Sequence, residues 1–230
     1  MYGDLTASRW VLVQPVGEHD REHMAGEIEA VRTLCPEDAF SLVSFQTDWF
    51  RDLAPWSIPS PFRGQPDFGD GAEETLRKIL EEILPEIRRR SGRSDQTIIL
   101  GGYSLAGFFA LWAGYRTDAF AGIAAASPSV WYPGWIEFAE KEKFRASAAY
   151  LSLGDREDRT RNPVMKPVGE NIRRQYDILR RQGVDTTLQW NEGNHFVDSD
   201  RRTALGFAWV TETLKTRRTG AEQEAAGGGK

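Results

Sequence analysis

Cysteine is almost missing: Cys35 is the only one in 230 residues, so no disulfide can form within the chain. No stretch approaches the ~18 consecutive apolar residues a membrane-spanning helix requires. The first residues lack the basic and then apolar pattern of an export signal. Basic charge is not in excess: Lys and Arg total 29 against 34 Asp and Glu, a net charge of −5 with the two signs interspersed. That argues against a nucleic-acid surface, which needs a concentrated cationic field. These absences lead to the expectation of a cytoplasmic protein with neither membrane nor nucleic-acid partners. The sequence cannot say whether it forms oligomers.

Repeats and interior linkers are also absent. Hydrophobic residues make up 40% and charged residues 27%, which suits one ordinary α/β domain. The domain is expected over residues 1–217. The end, "RTGAEQEAAGGGK" (residues 218–230), has almost nothing to bury and is expected to be disordered.

Short apolar runs alternate with helical patterns along the rest of the chain. Strands are expected at "RWVLVQPV", "FSLVSFQT", "QTIILGGY", "FAGIAAAS", "AAYLSLG" and "TTLQWN". Between them, Met24, Ile28, Val31 and Leu34 mark a helix over 19–34. Another starts near Ala72, with Asp70, Glu73 and Glu74 at its positive end, Arg88, Arg89 and Arg90 at its negative end, and a kink at Pro85. Helices are expected over 167–182, stopped by Gly183, and over 200–215. "PSVWYPGWIEF" reads as a lid-like segment. Near-continuous apolar strands alternating with amphipathic helices indicate a mostly parallel six-stranded sheet covered on both faces. Ligands bind such sheets outside the carboxyl ends of the strands. The loops there are 14–20, 47–62, 101–104, 127–135, 154–161 and 191–196.

One of those loops holds a serine at a hinge. In "TIILGGYSLAGFFALWAG" (Thr97 to Gly114) a strand ends at Ser104 and a helix begins. A free hydroxyl is a poor nucleophile; it needs a base for its proton and donors for the oxyanion that forms. A strand–sharp turn–helix device exposes the hydroxyl and aims the helix N-terminus at the same spot. It needs small residues two positions either side, here Gly102 and Ala106, a departure from G-x-S-x-G in its second glycine. The plain alternative is that Ser104 only caps the helix.

Context supplies partners. Of three histidines, His195 lies in "WNEGNHF" just after the last strand, where Gly193 lets the loop bend inward. An acid to orient it is expected after the fifth strand, in "SLGDREDRTRN": Glu157 first, Asp158 second, with Asp155 also qualifying. The order Ser, acid, His is the one this sheet topology uses. Oxyanion donors would be the N–H of Leu105 and one from the turn after the first strand, Val16 or Gly17. Trp49, Phe50, Trp56, Phe62, Trp131, Tyr132 and Trp135 crowd two loops on the same edge, among Pro, Ser, Arg and Gly rather than on a periodic apolar face. They read as an aromatic-walled acyl or aryl pocket, with loop anchoring as the alternative. His19 or Asp20 is a further candidate to contact substrate.

The chain order Ser104, Glu157, His195 on an alternating α/β chain resembles the α/β-hydrolase superfamily. "GGYSLAGFFALWA" with "AAASPSVWYPGW" more closely resembles the putative-esterase group related to enterochelin esterases and esterase D. The resemblance implies strand order 2-1-3-4-5-6, in a minimal version that lacks the group's leading antiparallel hairpin. It implies a serine hydrolase acting on a small-molecule carboxylic ester without cofactor or metal, Ser104 as nucleophile and His195 as base. Some relatives of the group use a Ser–His pair with no strong acid. Other readings stay open: acyl transfer to an alcohol, a catalytically inactive hydrolase fold that binds a ligand, or a zinc metallopeptidase, since "HDREH" (His19 to His23) fits H-x-x-E-H.

Overall fold

Along the first strand, β1 (Trp10–Val16), Val11 and Val13 join the core on one face of the sheet, and Trp10 and Leu12 join the core on the other. That division is the period-two alternation of a strand buried on both sides. The computed structural model describes residues 1–36 and 39–227, with side chains through residue 220. The further strands are β2 (Phe40–Gln46), β3 (Thr97–Tyr103), β4 (Gly122–Ala126), β5 (Ala148–Gly154) and β6 (Asp185–Asn191). They form one sheet in the order β2-β1-β3-β4-β5-β6, and every neighbouring pair is parallel. This is an α/β-hydrolase-type fold with the strand order the resemblance implies, and the sheet is all parallel.

Two helices cover one face, α1 (Met24–Leu34) and α7 (Ser199–Gly227). Val31, Ala204, Phe207 and Val210 supply its core. The other face carries α2 (Ala72–Lys78), α3 (Leu84–Ser91), α4 (Ser104–Arg116), α5 (Trp135–Lys141) and α6 (Val168–Arg181). Among the described residues no helix is long and apolar enough to cross a membrane.

Four details depart from the sequence expectations. A 3-10 turn, Glu18–Asp20, precedes α1, which starts at Met24, the first of its spaced apolar residues and five residues after the expected start at 19. The break at Pro85 takes the form of a π turn, Ile79–Ile83, between α2 and α3; proline offers no N–H to the carbonyl four residues back, and the wider turn absorbs the mismatch. The segment read as lid-like is buried instead, with Tyr132 and Trp135 in the core and α5 at its end. Lastly, α7 continues through 218–227. Its Ala, Glu and Gln are good helix formers, and extending an existing helix is far cheaper than starting one. Residues 228–230 of the expected tail lie outside the described residues.

Beneath the carboxyl edge, Gln14 of β1 meets Glu27 of α1, both buried. Gln14 Nε2 donates to Glu27 Oε2 at 3.2 Å, while the Oε1 atoms of both are buried without a partner. Burial, opposed by the Gln14 bond and reinforced by Asp20 and Asp200, pushes the Glu27 carboxyl up to about 8. The protonated acid can donate where its anion cannot, which matches the unfilled acceptor on Gln14. The folded state therefore holds a proton that the unfolded chain releases at an ordinary carboxylate pKa. The resulting stability is complete below ~4.5, is lost progressively as pH rises to about 8, and is constant above, at no more than ~1.4 kcal/mol per pH unit. Glu27→Gln keeps a pairing amide and removes the titration. Urea unfolding at pH 5.5 and 8.5 should show a larger loss in the wild type than in the variant; equal losses would rule the protonated pair out.

Candidate active site

The strand-to-helix hinge is sharp because of what is missing from it. A Cβ on Gly102 would sit 2.6 Å from the Ala106 Cβ. One methyl fits between β3 and α4 there and two do not, so Ala is tolerated at position 106 as long as position 102 is Gly. Ser104 adopts φ = +54°, a left-handed conformation rare for a non-glycine residue. Its hydroxyl projects from the carboxyl edge of the sheet into a cleft of about 1160 Å³.

His195 reaches the same point from the loop after β6. Gly193 takes φ = +107° there, which lets the loop fold back over the sheet edge. Ser104 Oγ lies 2.8 Å from His195 Nε2, and His195 Nδ1 lies 2.7 Å from Glu157 Oε2. A carboxylate only accepts, so the ring carries its proton on Nδ1, donates to Glu157 and accepts the serine O–H at Nε2. The imidazole is 26% exposed and the carboxylate 5%.

Four groups hold that buried carboxylate. Besides His195 on Oε2, Oε1 accepts from Gly154 N–H at 2.7 Å, Ser127 O–H at 2.9 Å and Arg202 Nη1 at 3.3 Å. Arg202, from α7, is itself 2% exposed. It also donates to the Tyr103 hydroxyl at 3.1 Å and to the carbonyls of Asn194 at 3.1 Å and Glu192 at 2.8 Å, fixing the histidine loop. Tyr103 in turn donates to the His195 carbonyl at 2.8 Å. Burial pushes its phenol above the ordinary range, which keeps the proton it donates.

The other acids after β5 stand elsewhere. Asp155 Oδ1 accepts from Gly193 N–H at 2.9 Å, and the Asp158 side chain rests against Gly169 in the first turn of α6. Leu105 lines the cleft at the first turn of α4, where helix N–H groups lack intrahelical partners. The second expected oxyanion donor is corrected by the structure. Gly17 N–H is given to Asp20 Oδ2 at 2.6 Å, where it caps the 3-10 turn, and neither Val16 nor Gly17 lines the cleft.

The aromatic residues divide in two. His19, Trp49, Phe50, Phe62 and Trp131 line the cleft, joined by Phe68. Trp56, Tyr132 and Trp135 do not, which corrects their assignment to the pocket. Tyr132 stacks on Phe108 with ring centroids 5.0 Å apart, and Trp135 packs on Phe108 and Phe138. Trp56 donates its indole N–H to the Pro133 carbonyl at 2.9 Å, and the Tyr132 hydroxyl donates to the Trp56 carbonyl at 2.7 Å. These three are loop anchors, the alternative reading of the same stretch. Arg63, Arg156 and Arg159 line the cleft, as do Asp20, Asp198 and Asp200. His19 and His23 face the neighbouring Asp20 and Glu22 at 3.4 and 3.7 Å. Among the described residues no group of three or more His, Cys, Asp and Glu could hold a metal ion.

Arg202 and Ser127 escaped sequence reasoning. Each is of a type that usually caps, turns or pairs at a surface, and what distinguishes them is a partner 45 or 30 residues away. Replacing Arg202 by Met leaves the Glu157 charge buried without its counterion. Unfolding in urea should show a loss of about 3–5 kcal/mol; a loss within the ±0.5 kcal/mol typical of surface changes would contradict the role given to this pair.

A model of the family described as "Putative esterase" matches residues 41–195. No curated protein is significantly similar in sequence. Solved structures similar in fold include the siderophore hydrolase EstA from Aspergillus nidulans, at 20% identity and TM-score 0.71 over 91% of this chain and 84% of that one. An IroE-like serine hydrolase from Shewanella oneidensis aligns at 21% identity and TM-score 0.70 over 90% and 73% of the two chains. The enterobactin esterase FES from Shigella flexneri aligns at 16% identity and TM-score 0.62 over 90% and 53%. At these identities the likeness is one of fold.

Proposed function

The chain belongs to the putative esterase family, and on that footing we propose that it is a serine hydrolase cleaving carboxylic esters through an acyl-Ser104 intermediate. The observation that carries this reading is the unbroken relay from Ser104 Oγ to His195 at 2.8 Å and from His195 to Glu157 at 2.7 Å. In it, Ser104 Oγ attacks the ester carbonyl while its proton passes to His195 Nε2. Glu157 holds the ring in the tautomer that can accept the proton and stabilises the imidazolium that results. Leu105 N–H, at the positive end of α4, holds the developing oxyanion. His195 then gives its proton to the leaving alcohol, and water releases the acid by the same steps in reverse.

The cleft supports a substrate with an aromatic or extended apolar part. Trp131, Phe62 and Phe68 form a box of rings whose centroids lie 6.2–6.3 Å apart. Arg63, Arg156 and Arg159 on the wall favour an anionic group beside it. Two of the similar folds carry siderophore-hydrolase or enterobactin-esterase names, so ester siderophores belong in a substrate panel with simple chromogenic esters of rising acyl length.

Ser104→Ala and His195→Ala should each lower kcat by about 10⁴-fold or more, Glu157→Gln by less. Chelator should leave the rate unchanged, and a fluorophosphonate should label the wild type but not Ser104→Ala. Full esterase activity in Ser104→Ala would overturn the assignment. Failure of the probe to label the folded wild type would favour the ligand-binding reading.

A further inference from the structure

Ser104 is not the only strained serine at this edge. Ser127, at the end of the neighbouring strand β4, has φ = +41°. Strain of this kind persists only where the surroundings enforce it, and it clusters at functional sites. Here it turns the chain so that Ser127 and Ser129 serve different partners. The Ser127 hydroxyl donates to Glu157. Ser129 N–H donates to the Ser104 carbonyl at 3.2 Å, and Ser129 Oγ lies 3.4 Å from Ser104 Oγ. The turn is closed by two further bonds, Val130 N–H to the Pro128 carbonyl at 2.7 Å and Tyr132 N–H to the Ser129 carbonyl at 3.1 Å.

Ser129 is 3% exposed, yet it lines the cleft. Its contact with Ser104 is longer than the roughly 2.5–3.0 Å of a good hydroxyl–hydroxyl bond. A buried hydroxyl held so loosely calls for a reason. Position supplies one. In the sheet, β1 and β4 lie on opposite sides of β3. The turn after β4 therefore faces the nucleophile from the side opposite the turn after β1. It is the side from which the loops after β5 and β6 bring Glu157 and His195. A group entering to be deprotonated by His195 passes along this side.

We propose that Ser129 is a further catalytic residue: its hydroxyl holds the water that attacks the acyl-enzyme, and the strained Ser127–Pro128–Ser129 turn keeps it beside Ser104 and His195. This rests on the reading of Ser104 as nucleophile. In the step, the water oxygen bonds to the acyl carbon as one of its hydrogens passes to His195 Nε2. The second hydrogen is donated to Ser129 Oγ, which leaves the water lone pair aimed at the carbonyl. The bond between the acyl carbon and Ser104 Oγ then breaks, and Nε2 returns the proton to Ser104. Acylation by an ester with a good leaving group does not need this water, so loss of Ser129 falls on the second half of the reaction.

Rapid-quench mass spectrometry with enzyme in excess over a p-nitrophenyl ester follows formation and decay of acyl-Ser104 separately. In Ser129→Ala, acylation should stay within about twofold of wild type while deacylation slows by about 10-fold or more, the scale on which misplacing a reacting group acts. Ser129→Thr, which restores a hydroxyl, should recover most of the deacylation rate, and the near-isosteric Ser129→Val should not. That pair keeps the test sharp if the alanine variant folds poorly. Unchanged deacylation in Ser129→Ala or Ser129→Val, or equal slowing of both steps, overturns the proposal. A wild type that turns over ester without any acyl adduct on Ser104 overturns the nucleophile reading itself, a result distinct from the others.

Discussion

A carboxylate leaves water only when its lone pairs are met by donors, and Glu157 is where this protein satisfies that requirement. Its four partners come from four places: the end of β5, the turn after β4, the loop after β6 and the first turns of α7. Only His195 and Arg202, seven residues apart, are near each other in sequence. Each is there because a parallel sheet brings the carboxyl ends of all its strands to one edge. The buried charge then makes that convergence exacting, since any of the four moving away leaves an acceptor unfilled or an ion uncompensated. Fixing Glu157 in turn fixes the ring of His195, and through it the contact with Ser104.

The two partners in that contact belong to different layers. Ser104 opens α4, which is packed on one face of the sheet. Arg202, which secures the histidine loop, comes from α7, whose Ala204, Phe207 and Val210 pack on the other. The 2.8 Å separation of Ser104 and His195 is therefore a property of the whole three-layer stack. Small residues make that stack thin enough at the hinge: Gly102 and Ala106 let α4 approach β3.

What could be read from the sequence follows from the range of the physics involved. Strands and most helices announce themselves through local periodicity, which is why β5 is found where its apolar run predicts it. Ser104 and His195 were legible because each sits in a short motif at a strand end. The choice of Glu157 over Asp158 had less behind it, since three acids share that loop. In the structure Glu157 alone of the three meets the imidazole, and Asp155 and Asp158 turn to Gly193 and α6. The aromatic residues were half legible. Their neighbours mark a loop, but whether a loop aromatic faces the cleft or the core depends on what lies beneath it. Phe108, one turn along the helix that Ser104 opens, draws Tyr132 and Trp135 inward. The Gly17 amide was misassigned because a side chain three residues on, Asp20, claims it.

That capture bears on how the site is balanced. On the β1 side of Ser104 the Gly17 amide is taken by Asp20, and Glu27, whose carboxyl is pushed up to about 8, lies close enough to Asp20 to feel its charge. Were Glu27 ionised, three carboxylates, those of Glu27, Asp20 and Asp200, would share this corner. Mutual repulsion would press on Asp20, the group that fixes the turn carrying Gly17. On the opposite side, the histidine and its acid are restrained by a guanidinium and by hydroxyls that do not titrate near neutral pH. The two sides thus differ in kind. One is held by an ion pair and hydrogen bonds centred on Glu157, and the other by a proton on a buried acid. The geometry of the hydroxyl–imidazole contact is built from the first.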